Sequence, residues 1–512
     1  AALAAALVFV VVVYIHDVTQ TRRAILHNFP LIGHLRYFLE RFGPELRQYI
    51  VTGNDEELPF SRDQRRWIYS SAKQENTLFG FGTDNEMEKV DNYIIIKHAA
   101  MPWRGESFEG AMHPVPCAKV LGEKRGRKHA FRPSSIVNTS AMSYGSLSKA
   151  AVEAINRGAA AAGCLQNTGE GGISPHHDHG GELIWQIGTG YFGCRGANGK
   201  FDLQMLKDRV ARYNVRALEI KLSQGAKPGK GGVLPGAKVT AEIASIRGVP
   251  VGQTVLSPPF HSAFSDADSL LDFVELLASE TGLPVGIKTA VGELTFFEQL
   301  ADLMAKGDRG IDYMQVDGGE GGTGAAPLVF SDHVSLPWKV AFPRVYRLFA
   351  ERGIQNDLIW IGSGKLGLPE QALIALALGC DMVAVAREAM IAIGCIQAQK
   401  CHNDHCPTGV ATHNKWLVAG LDPTLKASRF AHYVQGLRHE VLALAHACGQ
   451  GHPALIDLDS FEILGGQFES RLAREVFGYE AGWGQVTAEQ RAATLGLLGV
   501  QPHVGAMGQA AS

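Results

Sequence analysis

The stretch YMQVDGGEGGTGAAP, residues 313–327, decides the fold. It begins with a short apolar run, which is typical of a buried strand, and it continues into Asp317 and a glycine-rich loop. The same pattern, a short apolar run that ends in Gly, Ser, Asn or Asp, recurs from residue 134 onward between Ala- and Leu-rich helical segments. This alternation predicts repeated βα units around a parallel sheet.

Eight such runs are present, which is the number of strands that a TIM barrel needs. The predicted strands are 135–139, 163–167, 183–187, 217–222, 285–289, 313–316, 358–361 and 382–386. The predicted helices are 149–161, 203–212, 241–246, 269–280, 296–306, 370–378 and 427–446. We therefore predict an α/β fold, a (β/α)8 TIM barrel. Polar and glycine-rich segments follow the strands, at the end where barrels of this kind carry their active sites.

Length and composition set the limits of the domain organisation. The chain has 512 residues and a formal net charge of -3, without basic blocks, so nucleic acid is not an expected partner. We predict a helical and irregular region at 24–130, with a helix at 34–50, then the barrel at 131–450. After the barrel we predict a helical C-terminal extension at 451–512 that is partly disordered.

The N-terminus carries an apolar run at residues 1–15. At 1.5 Å per residue it covers about 22 Å, against about 30 Å for the hydrocarbon core of a bilayer. We predict a transmembrane segment at 1–23, with a signal peptide and a buried or interfacial helix as alternatives. Five arginines follow the run, at positions 22, 23, 36, 41 and 47, which predicts a membrane-anchored protein with its main body in the cytoplasm.

Three cysteines lie close together in GCIQAQKCHNDHCPTGVAT, within the predicted cluster loop 395–406. Cys395, Cys401 and Cys406 are thiolate donors, which suit iron-sulfur clusters or zinc. A zinc site with His402 or His405 as the fourth ligand is one alternative, and ordinary buried cysteines are another. The uneven spacing of all eight cysteines is not typical of a disulfide framework, so we expect a reducing compartment.

Two glycine-rich loops follow the predicted sixth and seventh strands, DGGEGGTGAAP (317–327) and GSGKLG (362–367). In barrels, a phosphate site forms where loop amides and a helix N-terminus meet near the last strands. Gly362, Ser363 and Gly364 are therefore candidates for binding the phosphate of FMN. Neither loop fits a dinucleotide-binding fold, because no G-x-G-x-x-G motif follows an early strand.

Lysines stand at the ends of two predicted strands and in one loop. Lys221, Lys227 and Lys288 could each stabilise the negative charge of a reduced flavin, while Lys227 and Lys230 could instead be solvated loop charges. The three histidines of SPHHDHGG, at positions 176, 177 and 179, are predicted to be solvated or structural, with catalysis and metal binding as alternatives.

The chain resembles the FMN-binding synthase domain of the glutamate synthase large subunit over roughly residues 132–448. The matching stretches are SAMSYGSLS (140–148), NTGEGG (167–172), KLSQGAKPGKGGVLPG (221–236), GGEGGTGAAP (318–327), LPW (336–338) and CHNDHCPTGVAT (401–412). The resemblance implies an oxidoreductase that acts on the CH–NH2 group of donors. It implies that FMN and a 3Fe-4S cluster are bound, and that 2-oxoglutarate is reductively aminated to glutamate through 2-iminoglutarate.

The resemblance also implies roles for individual residues. Glu170, Lys221 and Lys227 are the expected catalytic residues, and Gln224 and Arg247 the expected substrate-binding ones, with Arg247 on a carboxylate. The expected cofactor-binding residues are Ser140, Ala141, Met142, Asn167, Lys288, Gly318, Gly319, Gly362, Ser363 and Gly364. The expected cluster ligands are Cys395, Cys401 and Cys406.

The chain departs from the family pattern in ways that imply partners. It shows no amidotransferase domain and no dinucleotide-binding domain, so we expect free ammonia or a separate amidotransferase, and an external electron donor such as a ferredoxin or a membrane donor. Val233 replaces the usual glutamine of GGQLPG, and residues 174–190 also differ. A related amine reaction, such as N-methylglutamate synthesis, stays open, as does a membrane-tethered electron-transfer subunit without substrate turnover.

Overall fold

A computed structural model describes residues 1–78, 80–104, 114–466 and 468–498. The chain divides into two compact units, Ala1–Arg66 and the unit that begins at Trp67. The α-helices are Ala2–Thr19, Ala24–Asn28, Gly33–Leu46, Arg62–Lys73, Lys149–Ala162, Leu203–Arg212, Ala241–Arg247, Ala267–Thr281, Thr295–Met304, Leu328–His333, Trp338–Ala350, Pro369–Ala377, Arg387–Ala392, Lys415–Ala419, Pro423–Ala447, Ala473–Phe477 and Ala488–Gly496. Single turns of 3-10 helix lie at Pro175–His177, Gly236–Lys238, Pro453–Leu455 and Leu458–Ser460, and a π-helical turn at Arg47–Val51.

The second unit contains an eight-stranded parallel sheet. Its strands are β1 (Val137–Thr139), β2 (Gln166–Asn167), β3 (Leu183–Ile187), β4 (Val215–Lys221), β5 (Val285–Thr289), β6 (Tyr313–Asp317), β7 (Ile359–Ser363) and β8 (Met382–Val385). From β2 onward each strand pairs with the next, and β8 pairs with β1, so β1 and β2 are the two ends of the sheet order. The amide of Thr139 donates to the carbonyl of Leu165, just before β2, at 3.0 Å. The sheet therefore closes into a TIM barrel, as the sequence predicts.

The predicted strands and helices lie within a few residues of the observed ones because their signals are local. Every residue of β3, β5, β6 and β7 is buried, as expected for strands covered on both faces. The side chains of Ser148 and Asp202 accept hydrogen bonds from the first turns of the helices that they precede.

The end of the barrel at which the strands begin is filled by side chains from residues 117–131. Cys117, Leu121 and Phe131 are buried there against Leu165 and Tyr313, next to the starts of β2 and β6. This apolar plug belongs to the region for which the sequence predicts only helix and irregular structure. It leaves the opposite end of the barrel, where the strands finish, for chemistry.

Several elements were missed by the sequence analysis. Helix Trp338–Ala350 contains Pro343, which lacks the amide that a helix interior needs. Strand Tyr93–Ile96 pairs antiparallel with Phe461–Leu464, which pairs in turn with Ser470–Leu472, so the predicted extension joins a small sheet. Val233–Leu234 pairs with Val255–Leu256. The final stretch of the extension, residues 499–512, lies outside the described residues.

The first unit carries one helix, Ala2–Thr19, that is long and apolar enough to cross a membrane, the only one that qualifies among the described residues. Only 6% of its most apolar window is buried. A signal sequence would meet the same criterion, so the helix alone is a weak sign of a membrane anchor. The predicted helix at 34–50 corresponds to Gly33–Leu46 and the π-helical turn that follows it.

Candidate active site

An ion pair links the loop after β2 to the end of β4. The Nζ atom of Lys221, the last residue of β4, lies 2.9 Å from Oε1 of Glu170. The same ammonium donates a hydrogen bond to Oε1 of Gln224 at 2.5 Å. The two charged side chains are only 11% and 18% exposed, so little water competes with the pair. Three of the residues that the sequence predicts for catalysis and substrate binding therefore lie together.

Two more cations stand close to this pair, and both are predicted site residues. Lys227 is 3% exposed and donates to the carbonyl of Gly231 at 3.1 Å. Arg247 is 5% exposed and donates from Nη2 to the carbonyl of Tyr144 at 3.0 Å. Its Nε atom has no hydrogen-bond partner among the described residues. A buried guanidinium with an unused donor is suited to a ligand carboxylate.

The electrostatics of these groups are coupled. Burial alone would raise the pKa of Glu170, but Lys221, Lys227 and Arg247 together hold it below its usual value. Burial lowers the pKa of Lys227, and it lowers the pKa of Arg247 to about 10, in both cases against the attraction of Glu170. The single carboxylate of Glu170 therefore faces three cations, and this group of side chains carries more positive than negative charge.

A small pocket opens between Glu170 and Arg247. Its lining consists of Ser143, Ser146, Glu170, Phe192, Gly232, Val233, Leu234, Arg247, Val255 and Ser257. Phe192 supports the guanidinium of Arg247, whose central carbon lies 5.1 Å from the ring centroid. Val233, which departs from the family pattern, lies on the wall of this pocket. The two-stranded pair that includes Val233 and Val255 therefore forms one side of the site.

A second group of predicted residues gathers at the ends of β5, β6 and β7. The Nζ atom of Lys288 lies 3.3 Å from Oγ of Ser140 and 3.5 Å from Oδ2 of Asp317. Ser140 also contacts Oγ of Ser363 at 3.2 Å and accepts from Gln315 at 2.9 Å. All five of these side chains are buried. This polar floor is built from residues that lie far apart in the sequence.

The remaining predicted cofactor residues surround this floor. Met142 is buried and Ala141 partly exposed, both in the loop after β1. Asn167 donates to Oε1 of Glu219 at 2.8 Å, inside the barrel. Burial raises the pKa of Glu219, whose Oε2 atom has no partner among the described residues.

The glycine-rich loops meet above β6 and β7. The amide of Gly318 donates to the carbonyl of Ser363, between Gly362 and Gly364, at 2.8 Å, and the amide of Gly319 donates to the carbonyl of Leu336 at 2.9 Å. At Gly225, an added Cβ would lie 1.7 Å from the carbonyl oxygen of Gly318, so only glycine allows this close approach of the β4 and β6 loops.

Two basic residues near these loops were not predicted from the sequence. Burial lowers the pKa of Lys365, and the like charge of Arg387 lowers it further. Burial also lowers the pKa of Arg387, which donates to the carbonyl of Glu320. Two partly buried cations that repel each other next to glycine-rich loops suit a bound phosphate dianion. Their position directly after β7 and β8 is the sequence signal that could have identified them.

The three cysteines lie in one irregular segment after β8. Cys395 and Cys401 are partly exposed and Cys406 is buried, and all three are free thiols. Their three sulfur atoms, which belong to described residues, do not all lie within 4.8 Å of one another, so the three cysteines do not form a preassembled site for a single ion such as zinc. Each ligand of a cluster binds a different iron atom, so a wider separation is compatible with a cluster.

A buried lysine, also missed by the sequence analysis, joins the cysteine segment to the pocket. Lys238 is 2% exposed and donates to the carbonyls of Cys401 at 2.9 Å, Ala411 at 2.8 Å and Ser146 at 3.2 Å. Ser146 lines the pocket. The signal was present in the sequence as the last residue of the PGAK motif, next to Val239 and a helix start.

The histidines of the 174–190 segment have structural contacts. His177 is buried, and its Nδ1 atom accepts from the amide of Ser174 at 3.1 Å. Burial lowers the pKa of His177 to about 3, so it is neutral at physiological pH. His176 lies 3.0 Å from Glu242, which accepts a hydrogen bond from Tyr144. These contacts agree with the predicted structural role.

The fold and the site together define a TIM-barrel enzyme with a charged pocket at the carboxyl ends of its strands. Residues 86–451 match the family model described as the conserved region in glutamate synthase. The chain belongs to the glutamate synthase family and is a glutamate synthase-like oxidoreductase.

Two relatives and one solved structure illustrate what the chain is similar to. The glutamate synthase large subunit-like protein YerD of Bacillus subtilis is 37% identical over 474 residues, which cover 86% of this chain and 90% of that protein. The archaeal NADPH glutamate synthase of Methanocaldococcus jannaschii is 35% identical over 60% of this chain and 58% of its own length. A crystal structure of mandelate oxidase with (S)-2-phenylpropionate aligns with a TM-score of 0.44 at 13% identity, over 78% of this chain and 98% of the other.

Proposed function

We propose that this protein forms glutamate from 2-oxoglutarate and ammonia, through 2-iminoglutarate, in an FMN-dependent reduction. The observation that carries the proposal is the contact of Glu170 with Lys221, next to Lys227 and Arg247. In this arrangement Glu170 can bind a cationic nitrogen of the substrate, and the three cations can bind its carboxylates. Water is largely excluded from the site. An electron-transfer subunit without turnover would have no use for such a pocket.

The charge balance supports a dicarboxylate substrate. Lys221 is paired with Glu170, which leaves the charges of Lys227 and Arg247 without an anion. Burial disfavours both charged forms, and two ligand carboxylates would stabilise them. 2-Oxoglutarate carries two carboxylates, so it would match both cations. We assign one of the two carboxylates to Arg247, because the Nε donor of this residue has no hydrogen-bond partner among the described residues.

Glu170 and Lys221 have complementary roles in this proposal. Glu170 is held as a carboxylate by its cationic neighbours, so it attracts and orients the iminium nitrogen of the substrate. Lys221 holds a proton on Nζ and is fixed in place by Glu170 and Gln224. An iminium is more electrophilic than a ketone, and the nearby carboxylate stabilises its charge.

The residues of the polar floor fit FMN. Lys288 and Ser140 present buried donors at the barrel mouth, and the orphaned Oε2 of Glu219 leaves acceptor capacity inside the barrel. Lys365 and Arg387 would hold the phosphate beside Gly362, Ser363 and Gly364. When bound, FMN supplies the hydride that reduces the imine carbon. The positive charge of Lys221 and Lys288 would stabilise the anionic reduced flavin.

The cysteine segment fits a 3Fe-4S cluster held by Cys395, Cys401 and Cys406. Such a cluster supplies single electrons from an external donor, for which a ferredoxin or a membrane donor is proposed. Nitrogen would come from free ammonia or from a separate amidotransferase. We also propose that helix Ala2–Thr19 anchors the protein to a membrane, with the barrel on the cytoplasmic side.

The proposal is tested by following nitrogen into the product. The full chain, purified without oxygen, is incubated with chemically reduced ferredoxin, 2-oxoglutarate and ammonium labelled with nitrogen-15. Labelled glutamate, measured by mass spectrometry, is the expected product. Methylamine in place of ammonium separates glutamate from N-methylglutamate synthesis. If neither the mixture with ammonium nor the mixture with methylamine oxidised the reduced enzyme, the proposal would be contradicted.

A further inference from the structure

Helix Gly33–Leu46 has an apolar face that no other described element of the first unit covers. Its members are Leu35 (58% exposed), Phe38 (58%), Leu39 (51%), Phe42 (45%) and Leu46 (45%). At 3.6 residues per turn these positions lie within an arc of about 100°. Arg36, Glu40 and Arg41 occupy the opposite side, where Arg36 pairs with Glu40 at 2.8 Å. A stripe of this size is rare on the surface of a soluble monomer and marks an interaction site.

The start of this helix is fixed to the end of helix Ala2–Thr19 by a buried carboxylate. Asp17 is 0% exposed, and its Oδ2 atom accepts from the amide of Leu31 at 3.0 Å. The same oxygen lies 2.9 Å from Nε2 of His34. In the intervening turn, Nε2 of Gln20 donates to the backbone carbonyls of Asp17 at 3.1 Å and of Arg23 at 2.9 Å. The corner between the two helices is therefore held by at least four hydrogen bonds.

This corner fixes the depth of the second helix. Helix Ala2–Thr19 spans about 27 Å at 1.5 Å per residue, which is close to the thickness of the bilayer core. If it crosses the bilayer, Asp17 lies at the boundary between lipid tails and headgroups. Leu31 and His34, which bind Asp17, then lie at the same depth. The apolar face that begins at Leu35 therefore starts at the membrane surface.

We propose that helix Gly33–Leu46 lies in the plane of the membrane, with its apolar face in the outer part of the lipid layer. The inference rests on the proposed membrane anchor and adds a second, in-plane contact to it. Residues 20–51 carry five arginines and two glutamates, so the segment is complementary to anionic headgroups. Tyr49, Ile50 and Val51 are also exposed and extend the apolar surface.

Lipid quenching of a single added tryptophan tests this orientation in the full chain. Phe38→Trp puts the probe on the apolar face, and Tyr37→Trp puts it on the opposite, polar side, where Arg23 stacks on the ring at 4.5 Å. Both variants exchange one aromatic ring for another. They are reconstituted into vesicles of phosphatidylcholine and phosphatidylglycerol with and without brominated acyl chains, and the signal of the unmodified chain is subtracted.

We expect brominated lipid to quench the added fluorescence of Phe38→Trp at least two-fold more than that of Tyr37→Trp. Equal quenching, or none, in a chain that has partitioned into the vesicles would overturn the in-plane helix while leaving the anchor intact. A chain that does not partition at all would contradict the anchor as well. If the difference between the two variants disappeared when the chain dimerised in detergent-free solution, the apolar face would be assigned to contact with a second copy of the chain. That outcome would contradict the proposal.

Discussion

The Nζ atom of Lys238 lies 2.9 Å from the carbonyl oxygen of Cys401. The lysine comes from the turn that precedes helix Ala241–Arg247, and the cysteine from the segment after β8. With its two other bonds, to the carbonyls of Ala411 and Ser146, this ammonium links the cysteine segment to the wall of the proposed substrate pocket. The two proposed centres of electron transfer and substrate reduction therefore share one buried cation.

Replacing this cation should loosen the cysteine segment. Lys238→Met leaves three carbonyls without their donor, and we expect the free energy of unfolding to fall by about 2–4 kcal/mol. Iron content should fall to less than half of that in the unmodified chain. Chemical denaturation and iron analysis measure the two effects. Lys230→Met removes an exposed lysine of the neighbouring loop and should change neither quantity.

Glu170 is expected to act in turnover rather than in folding. Glu170→Gln removes the charge that is proposed to attract the iminium and that pairs with Lys221, so kcat should fall by roughly 100-fold or more. Anaerobic steady-state assays of glutamate formation measure this loss. Glu153→Gln removes a carboxylate of similar burial that pairs with Arg157 on a helix, and it should leave kcat unchanged. An equal loss in both variants would contradict a specific role for Glu170.

The position of Arg247 depends on the absence of a side chain at Gly171. A Cβ atom at Gly171 would lie 2.8 Å from Nη2 of Arg247 and 3.0 Å from the carbonyl oxygen of Tyr144. Gly171→Ala should therefore displace the guanidinium and raise KM for 2-oxoglutarate by about 10-fold, which corresponds to about 1.4 kcal/mol. Gly43→Ala, where nothing lies within 4 Å, is the control. An unchanged KM would show that Arg247 does not bind the substrate.

Buried neutral histidines predict an acid-sensitive fold. Burial lowers the pKa of His177 to about 3, and it lowers the pKa values of His261 and His452 to about 4. In the unfolded chain these groups bind protons near pH 6.5, whereas the folded chain does not bind them until lower pH. Stability should therefore fall as the pH drops from about 6.5 toward 4, by up to about 1.4 kcal/mol per pH unit for each histidine.

A single substitution tests the origin of this sensitivity. His452 lies 3.1 Å from the carbonyl of Pro116 through Nε2, and its Nδ1 accepts from the amide of Ala454. His452→Gln keeps a donor and an acceptor but cannot titrate. The slope of stability against pH, from denaturation curves between pH 4 and 7, should decrease by about one proton. An unchanged slope would assign the acid sensitivity to other groups.

The barrel could be predicted because its signals are local. Strand β6 and the loop after it are one continuous pattern in the sequence, and β3 and β5 were predicted with their observed bounds. The small sheet that joins Tyr93–Ile96 to Phe461–Leu464 was missed, because its partners are separated by most of the chain. Helix Trp338–Ala350 was missed because Pro343 weakens the helical signal.

The candidate site shows the same difference between local sequence signals, which could be predicted, and tertiary contacts, which could not. Glu170, Lys221 and Arg247 were predicted from motifs, and the structure places Glu170 and Arg247 on the wall of one pocket, with Lys221 paired to Glu170. The contact of Lys238 with Cys401 and the proximity of Lys365 to Arg387 depend on tertiary packing, so spacing in the sequence did not predict them. The apolar face of helix Gly33–Leu46 was visible as a periodic pattern, but the bonds of Asp17 to Leu31 and His34 were not.

The most direct test of the account is cofactor analysis of the unmodified chain and of Cys401→Ser, both purified without oxygen. Absorption spectra, low-temperature EPR and quantification of FMN and iron are measured together. For the unmodified chain, we expect one FMN and about three irons per chain, with the EPR signal of an oxidised three-iron cluster. Cys401→Ser should lose the iron and keep FMN, since the glycine-rich loops that are proposed to bind the phosphate are separate from the cysteine segment. A chain with zinc or no metal, or the loss of FMN together with iron in Cys401→Ser, would contradict it.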